Sequence, residues 1–369
     1  MDASANRSPL AYCAGGRETF RRLEALFEDR RPDLVCATIQ VPSRVVERFA
    51  ATHPAGFCDW PDPAERIRFW DDILRERAAV RDDSVPCAYL SELDQGLYAA
   101  LVGGEPRFLC DPRTGWISSM VPPLFEDLAQ ARDLAPFPED HPWWRRYLAY
   151  LDTFAHGAAG RFGLSHFILI DSLNFVFELV GATKTYLALT ESPEQVARAI
   201  EFAYDLNVRV QETYFERAGL VAGGTASNMV GWCPGRLVNE SVDPFHMTSV
   251  ADFERWGRAP VERMFAHFDG GVLHIHGNGR HLLEAVATLP RLEGIYLGDD
   301  KGFPPAFSVL ADLKRRVGDV PLVVGVAFND FAAALDRHAL VGAVKYVVSA
   351  APSADTANRL MDRVREYKV

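Results

Sequence analysis

The chain has 369 residues, 48% of them hydrophobic, a formal net charge of −11 and a pI of about 5.4. That is enough apolar material for a large core, and the scattering of arginines among acids excludes the basic stripe that a nucleic-acid partner needs. The opening "MDASANRSPL" lacks the apolar core of a secretory leader, and no apolar run approaches the ~18–20 residues of a membrane helix, so a cytoplasmic protein without a membrane partner is expected.

The N-terminal part is the less regular. "DLVCATIQV" (33–41) reads as a strand, and "EPRFLCD" (105–111), "HFILI" (166–170) and "VAGGTASN" (221–228) can supply more. The segment 42–165 holds many of the Pro and Trp residues, as in "CDWPDPAERIRFW" and "PFPEDHPWW", and reads as insertions around early strands. The whole chain, 1–369, is expected to be one domain with an irregular elaboration over 1–90. A long helix is predicted over 192–219.

The last hundred residues alternate more clearly. "GGVLHIH" (270–276), "GIYLGDD" (294–300), "VPLVVGVAF" (320–328) and "AVKYVVSA" (343–350) are apolar runs. Helical spacing follows each, at 280–289, 307–318, 329–339 and 353–367, the last capped by Ser353 or Asp355. Near-continuous apolar strands alternating with helices imply a parallel sheet buried on both faces. A TIM-type (β/α)8 barrel and an open doubly wound sheet both satisfy the pattern; without a G-x-G-x-x-G after an early strand, the barrel is favoured.

In such a fold, chemistry sits beyond the C-terminal ends of the strands. The polar residues there are His274 and His276, Asp299 and Asp300, Asn329, and Ser349. Residues at i and i+2 on a strand share a face, so His274 and His276 point the same way. Two imidazoles with a carboxylate such as Asp299 make a divalent metal site, zinc or another ion. His276 also suits acid–base work, and a strand-end pair satisfied by backbone alone is the structural alternative. "GNG" (277–279) needs only turn chemistry, and His281 is expected at the surface. In "ELDQG" (92–96), Glu92 or Asp94 could reach a cavity. In "GWCPGR" (231–236), Arg236 could pair a substrate carboxylate and Cys233 is a candidate site residue, as is Asn329. The six cysteines include no C-x-x-C pair and no spacing that suggests a disulfide framework, and apart from Cys233 read as small buried hydrophobes.

Four stretches, "ELDQGLYAALVGGEPRF", "FELVGATKTYLALTESPEQVARAI", "GGVLHIHGNGRHLLEAV" and "AVKYVVSAAPSADTANRLMDRVREY", resemble in order and spacing the uroporphyrinogen decarboxylase-like superfamily. That group includes the decarboxylase of haem synthesis and the corrinoid-linked methyltransferases. The resemblance implies a TIM-type barrel. It places Asp94 on the decarboxylase aspartate, but Phe177 stands where those enzymes carry tyrosine. The "RQAGRY" arginines and the late "GHG" histidine are missing. It places His274-Ile275-His276 on the methyltransferase His-x-Cys zinc pair, with Ser349-Ala350 where a later cysteine is found. The expected function is methyl transfer involving a small-molecule substrate, with Asp94 and His276 catalytic and any corrinoid brought by a partner or free. Alternatives are decarboxylation of a porphyrinogen or other carboxylated substrate, and a non-catalytic ligand-binding barrel. An amidohydrolase also uses His-x-His on a barrel strand, but on the first strand. A homo-oligomer is compatible with the sequence.

Overall fold

A computed structural model describes residues 9–369; most of the stretch inspected for a leader, 1–8, lies outside the described residues. Eight strands pair in parallel fashion within two sheets: β1 (Val35–Ile39), β2 (Cys87–Tyr89), β3 (Gly163–Ser165), β4 (Leu237–Ser241), β5 (Gly270–Ile275), β6 (Leu292–Leu297), β7 (Leu322–Ala327) and β8 (Val344–Ser349). Six form one sheet in the order β1-β8-β7-β6-β5-β4, and β2 pairs with β3. Single backbone hydrogen bonds tie the chain flanking the pair to the edges of the large sheet: Asp83 N–H, before β2, donates to the Ala37 carbonyl (2.9 Å) and Leu169 N–H, after β3, to the Asn239 carbonyl (2.9 Å). The four late strands and β1 fall where the apolar runs predict them.

Two expected strands have another role. Arg107–Asp111 pairs antiparallel with Gly56–Cys58 and Trp116–Met120, and its side chains alternate between exposed and buried, as a sheet with one wet face requires. Gly224–Ser227 folds back on Gly231–Pro234 as an antiparallel hairpin. Their places in the parallel set are taken by β2 and β4. The expected strand at 166–170 is not formed: β3 ends at Ser165, and beyond it the backbone of Ile170 is held by the Asn207 amide, which accepts from its N–H (3.0 Å) and donates to its carbonyl (2.9 Å).

Helices cover the strands. Pro193–Ala218 opens with proline at its first turn, which costs no hydrogen bond there, and ends at Gly219 with φ 69°, a left-handed stop that glycine adopts without strain. Ser353 caps the last helix, Ala354–Glu366, by accepting from Thr356 N–H (3.2 Å). The helix expected over 280–289 is shorter and tighter: a 3₁₀ segment Gly277–Leu282 followed by Leu283–Val286. The irregular region 42–165 carries helices at Arg44–Thr52, Pro63–Arg77 and Pro142–Ala158. They are joined by aromatic packing of Trp60 on Phe108, Trp143 and Tyr150, and by a fully buried Arg66–Glu92 ion pair that Tyr150 also meets. One hydrophobic core runs from Leu10 to Tyr367.

Register fixes which side chains share one face of the six-stranded sheet. Ser241, His274, Tyr296, Val323, Lys345 and Cys36 lie on one row across β4, β5, β6, β7, β8 and β1. Thr38, Val347 and Gly325 form part of the next. A Cβ at Gly298 would lie 3.0 Å from His276 Nδ1, so glycine leaves space beside that histidine.

Candidate metal and acid–base site

The strand β5 ends at Ile275, placing His274 on the same face as Ser241 and His276 one step past the strand. A 3₁₀ turn after β4, Asp243–Met247, brings Asp243 and His246 against them. One ligand atom each from Asp243, His274 and His276 lies within 4.8 Å of the others. His274 Nε2 is 2.9 Å from Asp243 Oδ1, and His246 Nδ1 is 3.5 Å from the same oxygen.

These contacts do not complete the polar groups. Asp243 Oδ1, His274 Nδ1 and His246 Nε2 are each buried without a full hydrogen bond. Each such atom costs about 1–3 kcal/mol if left unsatisfied. Three in one cluster fit the donor set of a bound cation: one carboxylate and two or three imidazoles. His276 is oriented from behind. Its Nδ1–H donates to Asp300 Oδ1 (3.0 Å), which leaves the Nε2 lone pair free, the arrangement that aligns metal-binding histidines.

The electrostatics agree with that division of labour. Burial pushes Asp243 up, but His274, His246 and His276 outweigh it and hold the carboxyl below its ordinary range. Burial likewise raises Asp300, and His276 more than reverses it. His246 is pushed down to about 4 by burial, so it is a neutral imidazole at neutral pH. Its ring lies against Gly279, where a Cβ would come within 2.1 Å of His246 Cδ2. The second glycine of "GNG" thus makes room for a histidine and does more than turn the chain.

Two further acids lie close by. Asp94 follows β2, and burial raises its carboxyl to about 6 against the opposing pull of Tyr89 and His274. Glu178, on the helix Ser172–Val180, is pushed to about 7 by burial and by Asp94. One oxygen of each, Asp94 Oδ1 and Glu178 Oε2, is buried and unpaired. Glu178 and Asp243 border a cavity of about 240 Å³ together with Gln95, Asn174, Tyr186 and Ser241, and among the described residues no lysine or arginine lines it.

The other predicted residues are distributed differently. Asp299 is not the carboxylate at the histidines: Arg280 Nη2 (3.3 Å) and Ala306 N–H (2.7 Å) both donate to its Oδ1, fixing it to the following loop. Arg236 lies at the start of β4, five residues before Ser241, which is in register with His274; that puts its backbone ~16 Å down the strand. Cys233 is buried at that same end, near Glu293 at the start of β6, and burial raises its thiol well above the ordinary range. Asn329 is exposed on the helix after β7. Glu92 is committed to Arg66, and His281 is an exposed residue whose Nε2 meets the Thr248 carbonyl (2.9 Å). Asp243, His246 and Glu178 were not predicted. Glu178 had one legible signal: it stands four residues after Asn174 on an otherwise apolar helix, and both face the cavity. Among the described residues, no helix is long and apolar enough to cross a membrane.

Compared with protein-family models and with curated proteins, the chain matches none.

Proposed function

We propose that the eight parallel strands close into a TIM-type barrel, and that the chain is an enzyme of the uroporphyrinogen decarboxylase-like superfamily binding a divalent metal, zinc first, through Asp243, His274 and His276. The reaction is methyl transfer involving a small-molecule substrate, with a corrinoid on a separate partner as the implied methyl carrier. The observation that carries the metal reading is the convergence of Asp243, His274 and His276 within 4.8 Å, with polar atoms left unpaired, beyond the C-terminal ends of β4 and β5. Bound there, a divalent cation would lower the pKa of an acceptor heteroatom and hold it as a nucleophile.

The chain's own residues do the rest. Asp300 fixes the His276 ring and its tautomer. Glu178, protonated near neutral pH, can give a proton to a departing group, and Asp94 can take one. The cavity, at about 240 Å³, lies below the ~300–1,000 Å³ of most ligand pockets and so favours a small substrate. Its acidic, arginine-free wall repels a polycarboxylate. This weighs against a porphyrinogen, while Asp94 beside His274 keeps decarboxylation of a small acid as the second reading.

The test is metal content by elemental mass spectrometry, for the purified protein and for His274→Ala/His276→Ala, followed by a methyl-transfer assay with methylcobalamin and a small thiol. Near-stoichiometric metal, lost in the variant, with transfer that depends on it, supports the proposal. Metal-free protein in both would overturn the metal site and move the decarboxylase reading ahead. Metal without transfer would retain the site and reject this chemistry.

A further inference from the structure

Strand β8 places a lysine, Lys345, on the same sheet face as His274, where its neighbours in register are Val323 and Cys36. The side chain is buried, with 3% exposure, and a buried cation is stable only when paired. Lys345 is not paired. Its Nζ donates to one neutral group, the Val230 carbonyl, at 2.7 Å, and among the described residues no carboxylate oxygen lies within 4.0 Å of it. The two nearby acids are already balanced. Asp83 pairs with Arg22 (2.7 Å) and accepts from Ala37 N–H; Asp82 pairs with Arg77 (2.6 Å) and accepts from Ile39 N–H. The facing thiols of Cys36 and Cys87 are raised by burial, Cys87 to about 11, so neither is a counter-ion at neutral pH. Burial accordingly pushes the Lys345 ammonium below the ordinary lysine range, opposed by Cys36, Asp82, Asp83 and Cys87.

A neutral amine resolves this geometry. It donates one hydrogen bond to Val230 and keeps a lone pair. Lys345 borders a cavity of about 270 Å³, walled by Trp70, Trp116 and Tyr89, with Arg77 on its lining. Arg77 Nη1 is buried without a partner, as is Thr38 Oγ1 on the same lining. Gly231 is needed here: a Cβ at that position would lie 2.3 Å from Lys345 Nζ. The cavity therefore offers a nucleophilic amine, an unsatisfied guanidinium N–H and aromatic walls.

We propose that Lys345 forms an imine with a small 2-oxo acid held in this cavity, the carboxylate of the acid meeting Arg77. The Nζ lone pair attacks the carbonyl carbon and a C–N bond forms. The carbonyl oxygen leaves as water with the two amine protons, and nothing is oxidised or reduced. The resulting imine, once protonated, is an electron sink for breaking a bond next to that carbon. This site uses none of the metal-site residues, so its success or failure is independent of the methyl-transfer reading.

Borohydride reduction in the presence of pyruvate tests it, with intact-mass and peptide mapping of the full chain. The sequence has five lysines, so assignment is direct. The expected result is one reduced pyruvate per chain, at least tenfold enriched on Lys345 over Lys184, Lys301, Lys314 and Lys368. Acetone, which has the carbonyl without the acid group, is expected to label Lys345 at least tenfold more slowly, and Arg77→Gln to remove that preference. Adduct spread over the other four lysines, or none on Lys345, would overturn the proposal, and this readout on the unaltered protein needs no variant to fold. Equal labelling by acetone and pyruvate would overturn the oxo-acid assignment.

Discussion

Asp243 and Glu240 stand at the end of the same strand, β4, yet their carboxyls are held in opposite states. Asp243 meets three imidazoles and is kept below its ordinary range. Glu240 faces the other side of the strand and is fully buried with Asp171; burial and Asp171 raise it well above the carboxylate range, and burial raises Asp171 to about 6. Ser241 N–H donates to Glu240 Oε1 (2.9 Å), but Glu240 Oε2 has no partner. The strand end thus separates a charged, ligand-ready acid on one face from a buried acid pair that retains a proton on the other. Burial, with the like charge of the neighbouring acid, gives the second outcome; the histidines of β5 and of the turn after β4 produce the first.

The largest effect expected is from removing the charged acid. Asp243→Asn should lower metal affinity by at least a hundredfold, measured by competition with a chelator, because a neutral amide oxygen is a poor replacement for a carboxylate ligand. Unchanged affinity would detach Asp243 from the site. Asp300→Asn acts one step further out. It removes the acceptor that fixes the His276 tautomer, and the expected loss is about 10–100-fold in metal affinity. An Asp300→Asn loss as large as that of Asp243→Asn would mean that Asp300 itself reaches the metal.

This contrast also shows what the sequence could disclose. The late βα alternation is visible because strands buried on both faces must be apolar along their length, and the period-two rule correctly puts His274 and His276 on one side. The carboxylate was not legible. "GDD" offers two aspartates, and only the loop decides that Asp299 turns to Ala306 while Asp300 turns to His276. β4 itself, "LVNES", is hidden because its buried residues Asn239, Glu240 and Ser241 are polar and read as a loop. Asp243 and His246 follow from it, so missing the strand hides them too. "GWCPGR" misleads in the other direction: its Arg and Cys are suitable groups, but they precede β4 and so fall at the wrong end of the sheet.

The acid pair makes a pH prediction. Both folded pKa values are raised, so between about pH 4 and 6 the folded chain keeps protons that the unfolded chain has released. Stability from this pair is full below the ordinary carboxylate range, falls as pH rises through the Asp171 value of about 6, and falls further as Glu240 is forced to ionise. Glu240→Gln keeps the Oε1 acceptor for Ser241 and supplies a donor toward Asp171, whose two oxygens are both unpaired. Denaturant unfolding should show the variant about 1 kcal/mol more stable than the wild type at pH 8 and no more stable at pH 5. A destabilisation equal at both pH values would show that the pair carries no proton of its own.

The smallest effect belongs to the residue furthest from the comparison. Arg236 stacks over Phe215 and Phe268, with its guanidinium carbon 5.9 and 5.7 Å from the two ring centroids, and its backbone is tied to Asp269. Arg236→Gln loses two weak cation–π contacts near the surface, worth about 0.5–1 kcal/mol together, and keeps the backbone bond. Thermal unfolding should register that small loss, while metal content should match the wild type, since the change lies a strand's length from His274. A fall in metal content with the fold intact would connect the two ends of β4, and the separation drawn between them would fail.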